Sequence, residues 1–162
     1  AADFGNYKVL RNQLDLVWQR LEQGQLKINF AAQLEKLEDE IPDVDKFDFF
    51  GVHPALDTCM ALGSLLQGMQ DKDPDTINNV GLLSHSSVSY YLGILLASEQ
   101  EQQKDIVINE QDIEDHPLMQ WEIETQQELF MSVKISKENK QTCKQLKEMA
   151  LSEGMSNLGI EI

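Results

Sequence analysis

The chain has 162 residues, 41% hydrophobic and 25% charged, proportions that exclude disorder and suit one domain with a proper core. Thirteen Lys and Arg stand against 28 Asp and Glu, a formal charge of −15. A surface so acidic repels phosphate backbones and anionic lipid, which sets aside nucleic acid and membranes as partners.

The acid is unevenly spread. Residues 35–48 hold seven acids and two lysines, and residues 99–115 hold seven acids and one lysine. Both stretches read as solvated, solubilising surface. Cys59 and Cys143 lie far apart, each on a helical pattern. They read as free thiols of a reducing compartment, which places the protein in the cytoplasm. A single helical domain over residues 1–162 is expected. The chain lacks an initiator methionine and opens on a helix approach, so further residues are expected ahead of Ala1 in the native protein.

Tyr7, Leu10, Leu14, Val17, Trp18 and Leu21 recur at three and four residues. They predict a helix over 7–23, closed by Gly24. Asn29 is the N-cap of a second helix over 30–41, with Phe30, Leu34, Leu37 and Ile41 on one stripe and Pro42 as its stop. Phe47, Phe49 and Phe50 are placed to pin the connection over 42–53 onto the core. Pro54, at a first helical position, opens a helix over 54–69 that carries Leu56, Cys59, Leu62, Leu66 and Met69. Asp73 as N-cap and Pro74 open the next, over 74–98.

Within that helix, residues 76–98 hold no charged side chain apart from His85 when protonated. The segment is long enough for a bilayer, but Asn78, Asn79, His85 and five serines make it poor in lipid. It is expected to be the buried centre of the bundle, with Ile77, Val80, Leu83, Val88, Tyr91 and Leu95 inside. Asn109 caps a short turn, and Pro117 opens a final helix over 117–152 with Gly154 beyond it. The tail over 158–162 is expected to be extended. The fold class is therefore all-α, a helical bundle or array of five or six helices.

Several chemical motifs fail on their spacing. Asp71, Asp73 and Asp75 imitate the start of a calcium loop, but Thr76 replaces its glycine and Leu82 its bidentate acid. Di-iron bundles need Glu three residues before His, and His53, His85 and His116 all lack it. His53 and His116 precede prolines and mark helix boundaries. His85 sits mid-helix as a phosphotransfer histidine would, yet Ser86, Ser87 and Val88 follow it with no cation for the phosphoryl group. No catalytic residue, cofactor or metal is assigned.

Two features stand out as candidate sites. His53, Asp57 and Cys59 are the nearest approach to a reactive pocket, although Asp57 and Cys59 point about 200° apart on a helix. Lys137, Lys140, Lys144 and Lys147 form one stripe on the final helix, opposite Ile135, Leu146 and Met149, and form a candidate docking face for an acidic protein. Acids from 35–48 or 99–115 are the expected counterpart if the stripe is paired within the chain.

The wording of the chain resembles a known family. Leu14-Asp15-Leu16-Val17-Trp18, Asn29-Phe30 with Gln33-Leu34-Glu35-Lys36, and Gly51-Val52-His53-Pro54-Ala55-Leu56-Asp57-Thr58-Cys59 come first. Gln120-Trp121-Glu122-Ile123 and Ser156-Asn157-Leu158-Gly159-Ile160 follow in order. Together they resemble the YjaG-like bacterial family of unknown function. The resemblance implies an α-helical fold, a cytoplasmic bacterial origin and a gene-neighbourhood link to histidine kinases. It implies no established activity and no catalytic residues. The leading expectation is a non-enzymatic interaction or regulatory module in bacterial signalling, with a protein partner. The alternative is a small-molecule binding protein or enzyme with a site near Asp57 and Cys59, and a structural homo-oligomer is a third.

Overall fold

The computed structural model describes residues 6–24, 26–47, 49–102, 109–137, 140–152, 154 and 156–160. Among them are seven α-helices and no strand. They are α1 (Tyr7–Gln23), α2 (Phe30–Glu38), α3 (Val52–Asp71), α4 (Pro74–Gln102), α5 (Glu110–Glu114), α6 (Pro117–Ile135) and α7 (Lys140–Ser152). The all-helical architecture is as expected, and the number of helices exceeds five or six for two reasons. The short turn capped by Asn109 is a helix of its own, and the long final helix breaks in two.

The starts follow the caps. Asn29 Oδ1 accepts from the Ala32 amide at 3.2 Å, and His116 Nδ1 accepts from the Leu118 amide at 3.1 Å ahead of Pro117. Asp73 accepts from the Asp75 amide and, at 2.6 Å, from the Thr76 hydroxyl. The Thr76 bond, then the Asp75 amide, holds the Asp73 carboxyl below its ordinary range. α1 ends on Gly24 in the left-handed region at φ 67°, a conformation glycine adopts without steric cost.

Other boundaries move. α2 stops at Glu38 rather than 41, since Glu38, Asp39 and Glu40 set three negative charges at the negative end of the helix dipole. α3 begins at Val52, which puts Pro54 third, still within the first turn where amide hydrogens have no helical acceptor. The break between α6 and α7 falls at Ser136, whose ψ of 151° is extended. Ser132, Val133, Ile135 and Ser136 crowd this stretch with β-branched side chains and hydroxyls that compete for the backbone.

α3 and α4 form an antiparallel hairpin around a tight corner. The Asp73 amide donates to the Gly68 carbonyl at 2.9 Å. A Cβ on Gly68 would stand 2.5 Å from Ile77 Cγ1 and 2.9 Å from the Asp73 carbonyl oxygen, so only glycine lets the helices meet this closely.

Two apolar cores lie against the hairpin. Val17 of α1 and Leu37 of α2 join Cys59, Leu62 and Leu66 of α3 in one. Val88 and Leu92 of α4 join Met119 of α6 and Leu158 of the C-terminal segment in the other. Residues 156–160 form a turn rather than an extended segment: the Ser156 amide donates to the Ile160 carbonyl at 2.8 Å, and Leu158 is buried, while the last two residues of the expected tail lie outside the described residues. An apolar anchor with a core to enter folds the segment back. The second core is framed by a polar contact in which buried Glu122 accepts from Gln126 Nε2 at 2.6 Å, while the same nitrogen reaches the Gly81 carbonyl at 3.1 Å.

α4 is not the sealed centre of the bundle. Of the six side chains expected inside, only Val88 is fully buried; Ile77, Val80, Leu83, Tyr91 and Leu95 are half-buried. Leu82, Tyr90 and Ile94 are exposed. α3 covers one side of α4 and α6 covers part of another, so the missing charge reflects an uncharged surface as well as a buried one. Among the described residues Pro74–Glu99 is the one helix long and apolar enough to cross a membrane by length and composition.

Burial predicts a sharp contrast between two leucines. Leu66, with no exposed surface, should cost about 2–5 kcal/mol when changed to Ala. Leu82, 68% exposed, should change stability by less than about 0.5 kcal/mol on the same substitution. Urea denaturation of the two variants measures both, and equal losses would contradict this packing.

Candidate functional site

His53 and Asp57 stand one turn apart on α3 and both face α4. The Ser87 hydroxyl donates to Asp57 Oδ2 at 2.6 Å. The His53 ring lies 4.5 Å from that of Tyr90, which stacks in turn on Phe50 at 6.2 Å. Of the three aromatics expected to pin the connection, Phe50 packs on the second core, while Phe47 and Phe49 meet edge to face and Phe49 is exposed. Below this aromatic group, Asn157 Nδ2 donates to Ser84 Oγ at 2.9 Å. Asp57, Ser84, Ser87 and Asn157 line a cleft of about 200 Å³, with Ala61, Val80 and Leu83 as its apolar walls.

Cys59 is not part of this group. It turns to the other side of α3, where its thiol donates to the Glu40 carbonyl at 3.8 Å. Burial, then the Glu40 charge, pushes the thiol pKa up. The group is therefore protonated at neutral pH and held away from nucleophilic chemistry. The structure brings His53 and Asp57 together on one face of α3 and separates Cys59 from them.

The lysine stripe is also divided. Lys137 falls in the break between α6 and α7, outside both helices. Lys147 turns inward, with Nζ 3.4 Å from Asp15 Oδ1 and 5.9 Å from the centre of the Trp18 ring. The acid opposite it thus comes from α1, not from 35–48 or 99–115. Lys140 and Lys144 are exposed. Cys143 Sγ reaches the Leu21 carbonyl at 3.6 Å, so α7 is seated on α1 by its 143 and 147 side.

On its other side α7 diverges from α6. Ile135, Ser136, Leu146 and Met149 line a groove of about 490 Å³ between them. Phe130, Met131, Val133 and Ile135 at the end of α6 are all exposed. This elbow gives no periodic signal in sequence, because its apolar residues surround the helix.

The remaining histidines and aspartates have structural places. His85 Nε2 lies 3.8 Å from Glu114 Oε1 at the rim between α4 and α5. Asp71 accepts from Gln67 at 2.5 Å, and Asp73 caps α4. Among the described residues there is no group of three or more His, Cys, Asp or Glu able to hold a metal ion. Ser84 and Ser87 are expected only as small residues that let a neighbouring helix approach, and Asn157 carries no site expectation, since their meeting with Asp57 is a product of the hairpin and of the folded tail.

The two thiols should differ in reactivity. Cys143, half-exposed, should react with a maleimide or disulfide reagent in the native protein, and Cys59 only after unfolding. Peptide mapping after brief labelling at neutral pH checks this; prompt native labelling of Cys59 would contradict it.

Comparison with known proteins places the chain in a family. The model of a "Protein of unknown function (DUF416)" matches residues 1–161. The uncharacterized protein YjaG of Escherichia coli (strain K12) is 30% identical over 158 residues, 97% of this chain and 77% of that protein. An uncharacterized protein of Haemophilus influenzae is 35% identical over 156 residues, 95% of this chain and 76% of the other. The crystal structure of a DUF416 family protein from Shewanella baltica OS155, at 1.91 Å resolution, matches with a TM-score of 0.85 and 32% identity. That match covers 99% of this chain and 80% of the crystallised one. The resemblance drawn from the five sequence strings therefore holds, and the chain belongs to the bacterial DUF416 family of proteins of unknown function.

Proposed function

We propose that the protein is a non-enzymatic interaction module of the bacterial cytoplasm, and that the α6–α7 elbow is where it docks an acidic protein partner. One observation carries this reading. The last turns of α6 expose Phe130, Met131, Val133 and Ile135 on all sides, with Ile135 80% exposed, beside the groove against α7. Clustered apolar surface of this kind marks a site that another surface covers.

Charge selects the partner. Residues 130–150 hold five lysines against Glu138 and Glu148, a local net of +3 within a chain of −15. Lys140 and Lys144 lie on the side of α7 away from the groove. They therefore act by steering an acidic surface toward the elbow over a screening distance of about 8 Å, and the groove supplies the anchors. Lys147 contributes differently, by seating α7 on α1 through Asp15 and Trp18. Bacterial signalling, with a histidine kinase or its regulator as partner, is the setting that the family resemblance favours.

The test is affinity capture from bacterial lysate with identification by mass spectrometry, comparing three baits. Lys140→Glu with Lys144→Glu should weaken capture of the partner several-fold at low salt and less at high salt. Ile135→Ser should weaken it at both. Both variants should melt like the parent, because the side chains changed are exposed. Undiminished capture by both variants would overturn the proposal, and recovery of only further copies of the chain would make the elbow a self-association surface instead.

A further inference from the structure

We propose that the Asp57 cleft and the groove beside it bind a primary ammonium ion carrying a short alkyl tail. The described residues of the cleft offer acceptors and one negative charge. Ser87 donates the one hydrogen bond that Asp57 receives among the described residues, and it reaches Oδ2 only. Asn157 spends its amide hydrogens on Ser84, which leaves its amide oxygen as a further acceptor. Among the described residues, no lysine or arginine lines the cleft. A cationic donor is what such a site lacks.

The alkyl tail follows from the neighbouring space. Thr58, Ala61 and Val80 are shared between the cleft and a second groove of about 390 Å³. Leu10, Leu14, Leu62 and Leu65 give that groove its apolar lining. Its α1 wall also carries Arg11, whose charge repels an ammonium group and so fixes the orientation: head at Asp57, tail along the leucines. The cleft of about 200 Å³ has room for some six or seven water-sized groups at ~30 Å³ each, enough for a head group and its first methylenes. A divalent metal is a poorer match, since calcium takes about six to eight oxygen ligands and the described lining of the cleft holds one carboxylate. The site joins two of the strings on which the family resemblance rests, around Asp57 and around Asn157, about a hundred residues apart.

Isothermal titration with n-butylammonium, n-hexylammonium and hexan-1-ol tests the proposal. Each added methylene should tighten binding about fourfold, so the hexyl ion should bind roughly fifteenfold tighter than the butyl ion. Hexan-1-ol should bind at least ~10-fold more weakly than hexylammonium, and Asp57→Asn should remove that preference. Ala61→Leu, which fills the wall shared by the two spaces, should weaken hexylammonium at least ~10-fold, and decides the matter if Asp57→Asn does not fold. An Nα-acetyl-lysine amide binding as tightly as butylammonium would identify a peptide lysine as the source, and weaker binding a free amine. Either supports the site. Absence of saturable binding, equal binding of the alcohol and the ion, or unchanged affinity in the folded variants would overturn it.

Discussion

The close approach of α3 and α4 at Gly68 is the constraint from which the remaining architecture follows. Where a Cβ would collide with Ile77 and with the Asp73 carbonyl, glycine allows the chain to reverse in a few residues and to run back in contact. Lys72 completes the reversal at φ 56°, and Asp73 caps the returning helix. The hairpin then presents two different faces. One takes α1 and α2 through Leu62 and Leu66, and the other takes α6 and the C-terminal turn through Val88 and Leu92. Neither core includes buried residues of the other, and the hairpin contributes one helix to each, with α7 as a second, outer link from α6 to α1.

The same geometry makes the polar cleft. Antiparallel pairing of α3 and α4 sets Asp57 opposite Ser87 and His53 opposite Tyr90. The tail adds Asn157 because Leu158, its neighbour, has a core position to fill. The apolar elbow has the opposite origin. α7 is seated on α1 by Lys147 and Cys143, which draws it away from the end of α6 and leaves that end uncovered. One surface is built by packing and the other is what packing left open.

Much of this could be read from the chain before any coordinates, and the reasons for success and failure differ by residue. Asn29, Gly24, Asp73 with Pro74, and His116 with Pro117 act through their own backbone neighbours, so local chemistry announces them. The stop of α2 at Glu38 and the break at Ser136 are also local, but they depend on several weak preferences acting together. α4 departs from its expected burial because the absence of charge is shared by buried helices and by uncharged surfaces. Its exposed Leu82, Tyr90 and Ile94 show the second case. The cleft was half visible: Asp57 stood out beside His53, whereas Ser84, Ser87 and Asn157 are ordinary until the fold collects them. Cys59 lies two residues from Asp57 in sequence and on the opposite face of the helix, which the 100° step between residues dictates.

The dependence of both cores on the α3–α4 corner is the claim most open to direct test. Native-state hydrogen exchange on Gly68→Ala measures it, because exchange resolves which segments open together. The account predicts faster exchange in α1 and α2 and, to a similar degree, in α6, since an added Cβ must push the two helices apart. Faster exchange confined to the residues around the corner, with α1, α2 and α6 protected as in the parent, would contradict it.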